Sequence, residues 1–202
     1  MNLEYYLDND GEIHEFITTK EKFIELMEYT FCSTAKENED QKQYIKRINI
    51  ACKLLCDSSS TVSEKLREFE KKEQGLFKTV ITLAKKRWES PFVNALCGLI
   101  SGTIYSNNAV HYFEVMAEDN FKLIIDLLEY PDSAEVLKKI IEYSCRDQSC
   151  KDKINTLVEL ILDKFNSTQN AKELDYIRSL ICNIIAVNDP STIAFFTSKK
   201  CI

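Results

Sequence analysis

The chain has 202 residues, of which 45% are apolar and 29% charged, and its formal net charge is −6. This apolar content supports a core without metals or disulfides, and the acidic balance argues against a general nucleic-acid binder. The first residues, MNLEYYLDNDGEIHEF, lack the basic and apolar regions of a signal peptide. We therefore expect a cytoplasmic or nuclear protein with no membrane partner, whose eight cysteines are reduced thiols.

Helical spacing of apolar residues dominates the chain, and only four glycines and three prolines interrupt it. The first clear helix follows Thr19, a predicted N-cap, and carries Phe23, Met27 and Phe31 on one face. Residues 1–18 precede this helix and are expected to pack loosely.

Further predicted helices follow with short loops between them. Ser90 and Pro91 mark one start, because serine caps helices and proline is favoured in the first turn. The predicted segments cover residues 44–55, 62–69, 76–83, 91–105, 106–116, 119–130, 134–145, 149–165, 174–187 and 191–202.

Several of these helices are apolar on more than one side, whereas others are amphipathic. Residues 45–55, 92–104 and 176–187 belong to the first kind. Such a mixture suits antiparallel helix pairs stacked in a solenoid, where the inner helices are covered on both sides. We predict an all-α, HEAT/armadillo-like helical-repeat solenoid of about ten helices, forming one domain over residues 1–202.

Two of the four glycines, Gly98 and Gly102, lie inside one predicted helix. A glycine in a helix interior costs about 1 kcal/mol relative to alanine. The two are four residues apart and share a face, so together with Pro91 they predict close packing against a neighbouring backbone. A kink in the helix is the alternative.

Catalytic and metal-binding patterns are weak in this sequence. The thiol pairs Cys52/Cys56 and Cys145/Cys150 contain no C-x-x-C motif, and buried core cysteines explain them better. No nucleophile motif lies near His14 or His111, and no glycine-rich phosphate loop occurs. The expectation is a protein without enzymatic activity, metal, cofactor or small-molecule substrate.

The densest basic cluster stands just before Pro91 and includes the only tryptophan. It consists of Lys85, Lys86, Arg87, Trp88, Glu89 and Ser90. As a partner-binding site, it would attach an acidic surface with Trp88 as an anchor. As structure, its cations would complement a helix C-terminus while Trp88 packs inward.

Two segments of the chain carry longer motifs. Residues 44–66 resemble a helix of Y-P-x-x-A-C-E-I-L type, with Ala51 and Cys52 on matching positions. Residues 90–116 resemble N-P-L-L-A-x-x-F-x-K-V-x-G-x-L-I, in which Pro91 and Gly102 match the proline and the glycine.

Two later segments extend the likeness. Residues 120–142 are similar to the region of an A-I-x-D-L-L-L-R-L helix, and residues 180–187 to an L-C-D-I-I helix. By the order of these segments the chain resembles the SAPS-domain family, the regulatory subunits of the type-6 serine/threonine protein phosphatase. Ser90 stands where that family has an asparagine, and Leu99 where it has a lysine.

The resemblance implies a non-catalytic regulatory or scaffold subunit that binds a type-6-like phosphatase catalytic subunit. The main alternative is another helical-repeat adaptor, such as a chaperone cofactor or a ribosome- or trafficking-associated scaffold. An enzyme whose site uses His14 or His111, and an RNA-binding solenoid using residues 85–88, remain further alternatives.

Overall fold

The computed structural model describes residues 3–8, 13–34, 40–56, 61–130, 133–144 and 147–187. Within these ranges the regular structure is twelve α-helices and a 3-10 turn at Gln148–Cys150, without a strand. The all-α prediction is therefore confirmed for this part of the chain. The helix predicted over residues 191–202 lies outside the described residues.

Backbone contacts group the chain into two compact units, Met1–Thr103 and Ile104–Ile202. The prediction of a single domain stays a prediction. The first unit contains α1 (Leu3–Asp8), α2 (Ile13–Phe16), α3 (Lys20–Cys32), α4 (Gln41–Cys56), α5 (Thr61–Lys72), α6 (Leu76–Ala84) and α7 (Ser90–Thr103). The second contains α8 (Ala109–Ala117), α9 (Lys122–Leu127), α10 (Ala134–Ser144), α11 (Lys151–Ser167) and α12 (Ala171–Val187).

In the first unit, α7 contacts α4, α5 and α6. Helix α3 contacts α4, α5 and α6, and α1 contacts α4. The described part of residues 1–18 belongs to this core instead of packing loosely, because Leu7 and Ile17 are fully buried there.

In the second unit, contacts join helices that lie two apart in the chain. Helix α10 contacts both α8 and α12, and α9 contacts α11. The hydroxyl groups of Ser133, before α10, and Tyr176, on α12, share a hydrogen bond of 3.1 Å.

The starts of three helices of the first unit have different causes. Thr19 caps α3 as predicted, since its Oγ1 accepts a hydrogen bond of 3.3 Å from the backbone N–H of Lys22. Helix α6 begins after Gly75, whose φ of 104° is in the left-handed region that glycine tolerates. Helix α7 begins one residue earlier than predicted, because the Glu89 carbonyl already accepts from the N–H groups of Phe92 and Val93.

Candidate functional site

The predicted partner-binding cluster lies in the turn between α6 and α7. Lys86, Glu89 and Ser90 are exposed, whereas Lys85, Arg87 and Trp88 are half-buried. Helix α6 ends at Ala84, so most of the cluster follows the helix instead of forming its last turn. Of the six consecutive residues predicted for this site, three are therefore accessible to a partner.

Arg87 ties the turn to three other parts of the first unit. Its Nη1 donates hydrogen bonds of 3.2 Å to the Ser33 carbonyl and 3.1 Å to the Tyr44 hydroxyl. Its guanidinium carbon lies 4.3 Å from the centre of the Phe92 ring. Tyr44 itself donates to the Ser33 carbonyl at 2.7 Å. These contacts give Arg87 a structural role that joins the end of α3 to α4 and α7.

Replacing Arg87 with alanine should lower the free energy of unfolding by about 1–2 kcal/mol, because charge-assisted hydrogen bonds and a cation–π contact are lost together. Urea denaturation measures the change. Lys86→Ala is the matched control, since this neighbouring cation is exposed and its removal should leave the midpoint almost unchanged. Equal midpoints for the two variants would contradict the structural role of Arg87.

An open cleft of about 560 Å³ lies beside the turn, with Lys86 on its edge. Part of its lining comes from α3, including Glu25, Glu28 and Tyr29. Burial raises the pKa of the Tyr29 hydroxyl, although Arg47, whose Nε donates to it at 3.3 Å, acts in the opposite direction. The cleft therefore offers carboxylates and a neutral phenol to polar groups of a ligand or partner.

Close approach of two backbones occurs at Gly98. A Cβ atom at this position would lie 2.7 Å from the carbonyl oxygen and 2.8 Å from the carbonyl carbon of Cys56. Real Cβ atoms essentially never come within 3.0 Å of such atoms. The absence of a side chain at Gly98 thus lets α7 pack directly on the last turn of α4.

The other two positions predicted for close packing differ from Gly98. Gly102 is buried, and its carbonyl accepts a hydrogen bond from Nη1 of Arg67; close packing there stays a prediction. Pro91 is exposed in the first turn of α7. It favours the start of the helix, because the N–H that proline lacks would have no intrahelical partner at this position. It does not contribute to close packing.

Leu99, which stands where the SAPS-domain family has a lysine, is fully buried. Its carbonyl accepts hydrogen bonds from Thr103 Oγ1 at 2.6 Å and from Ser63 Oγ at 3.4 Å. This position therefore belongs to the core of the first unit and not to a partner-facing surface.

The cysteines and histidines that were candidates for a metal or catalytic site differ in their exposure to solvent. Cys52 is buried and Cys56 exposed, although they are four residues apart on α4. Cys150 is buried, and Cys145 lies outside the described residues.

His14 is exposed, and His111 is half-buried with its ring 5.1 Å from that of Tyr112. Across the described ranges, no three His, Cys, Asp or Glu side chains are grouped to hold a metal ion.

Thiol labelling should separate these cysteines. Burial, and to a lesser extent Cys56, raises the pKa of Cys52 to about 11, so only about one molecule in a thousand carries its thiolate at pH 8. At that pH we expect iodoacetamide to modify exposed Cys182 much faster than Cys52. Peptide mapping by mass spectrometry gives both rates, and labelling in urea is the control, in which the difference should vanish. Equal native rates would contradict the burial.

One surface on α4 was missed by the sequence analysis, which expected this helix to be apolar on more than one side. Ile45 is 49% exposed, and Ile50 is half-buried. Lysines flank them at helical spacing, a signal that the sequence already carries. We name this surface the α4 stripe: Lys42, Ile45, Lys46, Asn49, Ile50 and Lys53, which line a shallow groove of about 400 Å³.

Comparison with known proteins identifies no relative: no family model, no curated protein and no solved structure matches the chain. No helix in the described ranges is both long and apolar enough to span a membrane.

Proposed function

We propose that the chain is a non-catalytic regulatory or scaffold subunit that binds the catalytic subunit of a type-6-like serine/threonine protein phosphatase. The observation that supports this is the packing of the segments that carry the resemblance. Residues 44–66 contribute most of α4 and the first half of α5, and both helices contact α7, which begins at Ser90. The likeness in residues 44–66 and at the start of residues 90–116 thus falls on helices of the first unit that pack together.

The same proposal includes a HEAT/armadillo-like helical-repeat architecture. In the second unit, helices two apart contact each other, as in stacked helix pairs. In the first unit, α3 contacts α6 and α4 contacts α7, which is a spacing of three helices. In each unit, contacts recur between helices at a regular spacing along the chain. This recurrence favours stacked repeats rather than a bundle in which all helices surround one centre.

The mechanism in this proposal is positional. The exposed side chains of Lys86, Glu89 and Ser90 contact the phosphatase, while Arg87 holds the turn in place. Stacked helices provide an extended surface for binding a protein, and such a scaffold places the catalytic subunit near its substrates.

The test is affinity pull-down of the tagged chain from an extract of its own cells, with mass spectrometry of the bound proteins. A type-6-like catalytic subunit in near-equal amount is expected. Recovery of a consistent but different partner would reject the phosphatase and favour another helical-repeat adaptor.

A charge-reversed variant, Lys86→Glu with Glu89→Lys, tests the site itself. Both residues are exposed, so the fold should be kept while phosphatase recovery falls. Lys71→Glu, an exposed change on α5, is the matched control and should leave recovery unchanged. Arg87 is avoided, since its loss would weaken the core.

A further inference from the structure

We propose that the α4 stripe is a docking surface for an acidic amphipathic helix of a protein partner. It is separate from the turn between α6 and α7, and the inference does not depend on binding to a phosphatase.

The stripe combines exposed apolar and basic groups on one helix face. Ile45 is the most exposed large apolar side chain in the described ranges. It lines the groove together with Ile50. Lys42, Lys46 and Lys53 are exposed around it. Their aliphatic stems extend the apolar surface while their ammonium groups reach solvent.

The lysines of the stripe affect α4 itself unequally, since Lys53 in the last turn complements the helix dipole. Lys42 lies in the first turn, where a cation opposes the helix dipole and no acidic residue is present. Lys42 and Lys46 are four residues apart, a like-charge spacing that destabilises a helix. Within the part of the chain that the structure describes, no salt bridge neutralises Lys42, Lys46 or Lys53. The exposed ammonium groups of the stripe are therefore available to an acidic partner.

Charge and size favour an acidic helix as the occupant. From Lys42 to Lys53 the stripe extends about 16 Å, or roughly three turns of a docked helix. A partner helix with one or two apolar side chains flanked by carboxylates matches both the groove and its rim. Such complementary charges fix the orientation of a partner and accelerate its association.

Membranes and nucleic acids fit the stripe less well. A helix that lies in a bilayer surface needs a wide apolar face, whereas α4 exposes Ile45 and part of Ile50 there and directs its buried residues into the protein. A lipid surface or a phosphate backbone extends beyond the stripe and would meet the rest of a chain whose net charge is −6. A short acidic protein segment requires only the local patch.

Fluorescence anisotropy with the full chain tests the proposal. The probe is a fluorescein-labelled, end-blocked 16-residue helical peptide whose one face carries two leucines flanked by glutamates. Saturable binding is expected, weakening at least about tenfold in Lys46→Glu and in Ile45→Ser. Lys71→Glu makes the same charge change on α5 and should alter affinity by less than about twofold. Melting temperatures confirm that each variant is folded.

Several results would overturn the proposal. These are an absence of saturable binding, equal weakening by Lys71→Glu, and equal affinity for a scrambled peptide of the same composition. Tighter binding to phosphatidylserine vesicles or to a single-stranded oligonucleotide at the same salt concentration would assign the stripe to a lipid or nucleic-acid ligand instead. No phosphatase is present in this assay, so its failure leaves the pull-down result independent.

Discussion

Gly98→Ala is expected to lower the free energy of unfolding by about 1–3 kcal/mol. The new methyl group would lie 2.7 Å from the Cys56 carbonyl oxygen, and the atoms in its way are backbone atoms that cannot rotate aside. Alanine is the better helix former by about 1 kcal/mol, but relief of the clash requires α7 and α4 to move apart. Urea denaturation of the purified chain measures the change.

The control for this prediction is Asn49→Ala on the exposed face of α4. It improves helix propensity without introducing a contact, so it should leave stability equal or slightly higher. If Gly98→Ala behaved in the same way, the close approach of α4 and α7 would be contradicted.

Glu70→Ala is expected to lower the free energy of unfolding by about 2–4 kcal/mol, because two backbone donors lose a charged acceptor. Glu70 is only 3% exposed, and its two carboxylate oxygens accept from the N–H groups of Gly75 at 3.1 Å and Phe77 at 2.9 Å. The carboxylate on α5 therefore caps the start of α6, where no side chain of the turn itself does so. Thermal and urea unfolding both measure the loss.

Glu68→Ala is the matched control on the same helix. Its carboxylate pairs with Lys65 at 2.8 Å and Lys72 at 2.7 Å, and hydrogen bonds from these lysines lower its pKa to about 2. The Glu68 side chain is 40% exposed, so salt screens the pairs and little stability depends on them. Equal losses for the two glutamate variants would contradict the capping role of Glu70.

Local patterns were sufficient to predict the helices and some of their details. The spacing of apolar residues is a property of neighbours within four positions, so it indicates helix type without knowledge of the fold. Thr19 could be assigned as a cap for the same reason, since its acceptor serves Lys22, only three residues away. Gly98 could be singled out because glycine destabilises a helix interior, so its presence there indicates a compensating packing contact.

The tertiary structure decided what those local features contact. Arg87 and its acceptor on Ser33 are 54 residues apart, and no period in the sequence connects them. Composition alone did not distinguish a basic cluster for a partner from one that holds α3, α4 and α7 together. Likewise, only the packed helices separate Gly98, which meets a backbone, from Pro91, which is exposed.

The sequence by itself determined that this protein forms helices, because helical periodicity and scarce glycine and proline act within a few residues. The tertiary structure decided which side of each helix remains exposed. Helix α4 shows this: Ile48 and Ile45 are equally apolar, yet Ile48 is 6% exposed and Ile45 49%. Burial depends on which helices pack against a face, and that is set by contacts between residues far apart in the chain.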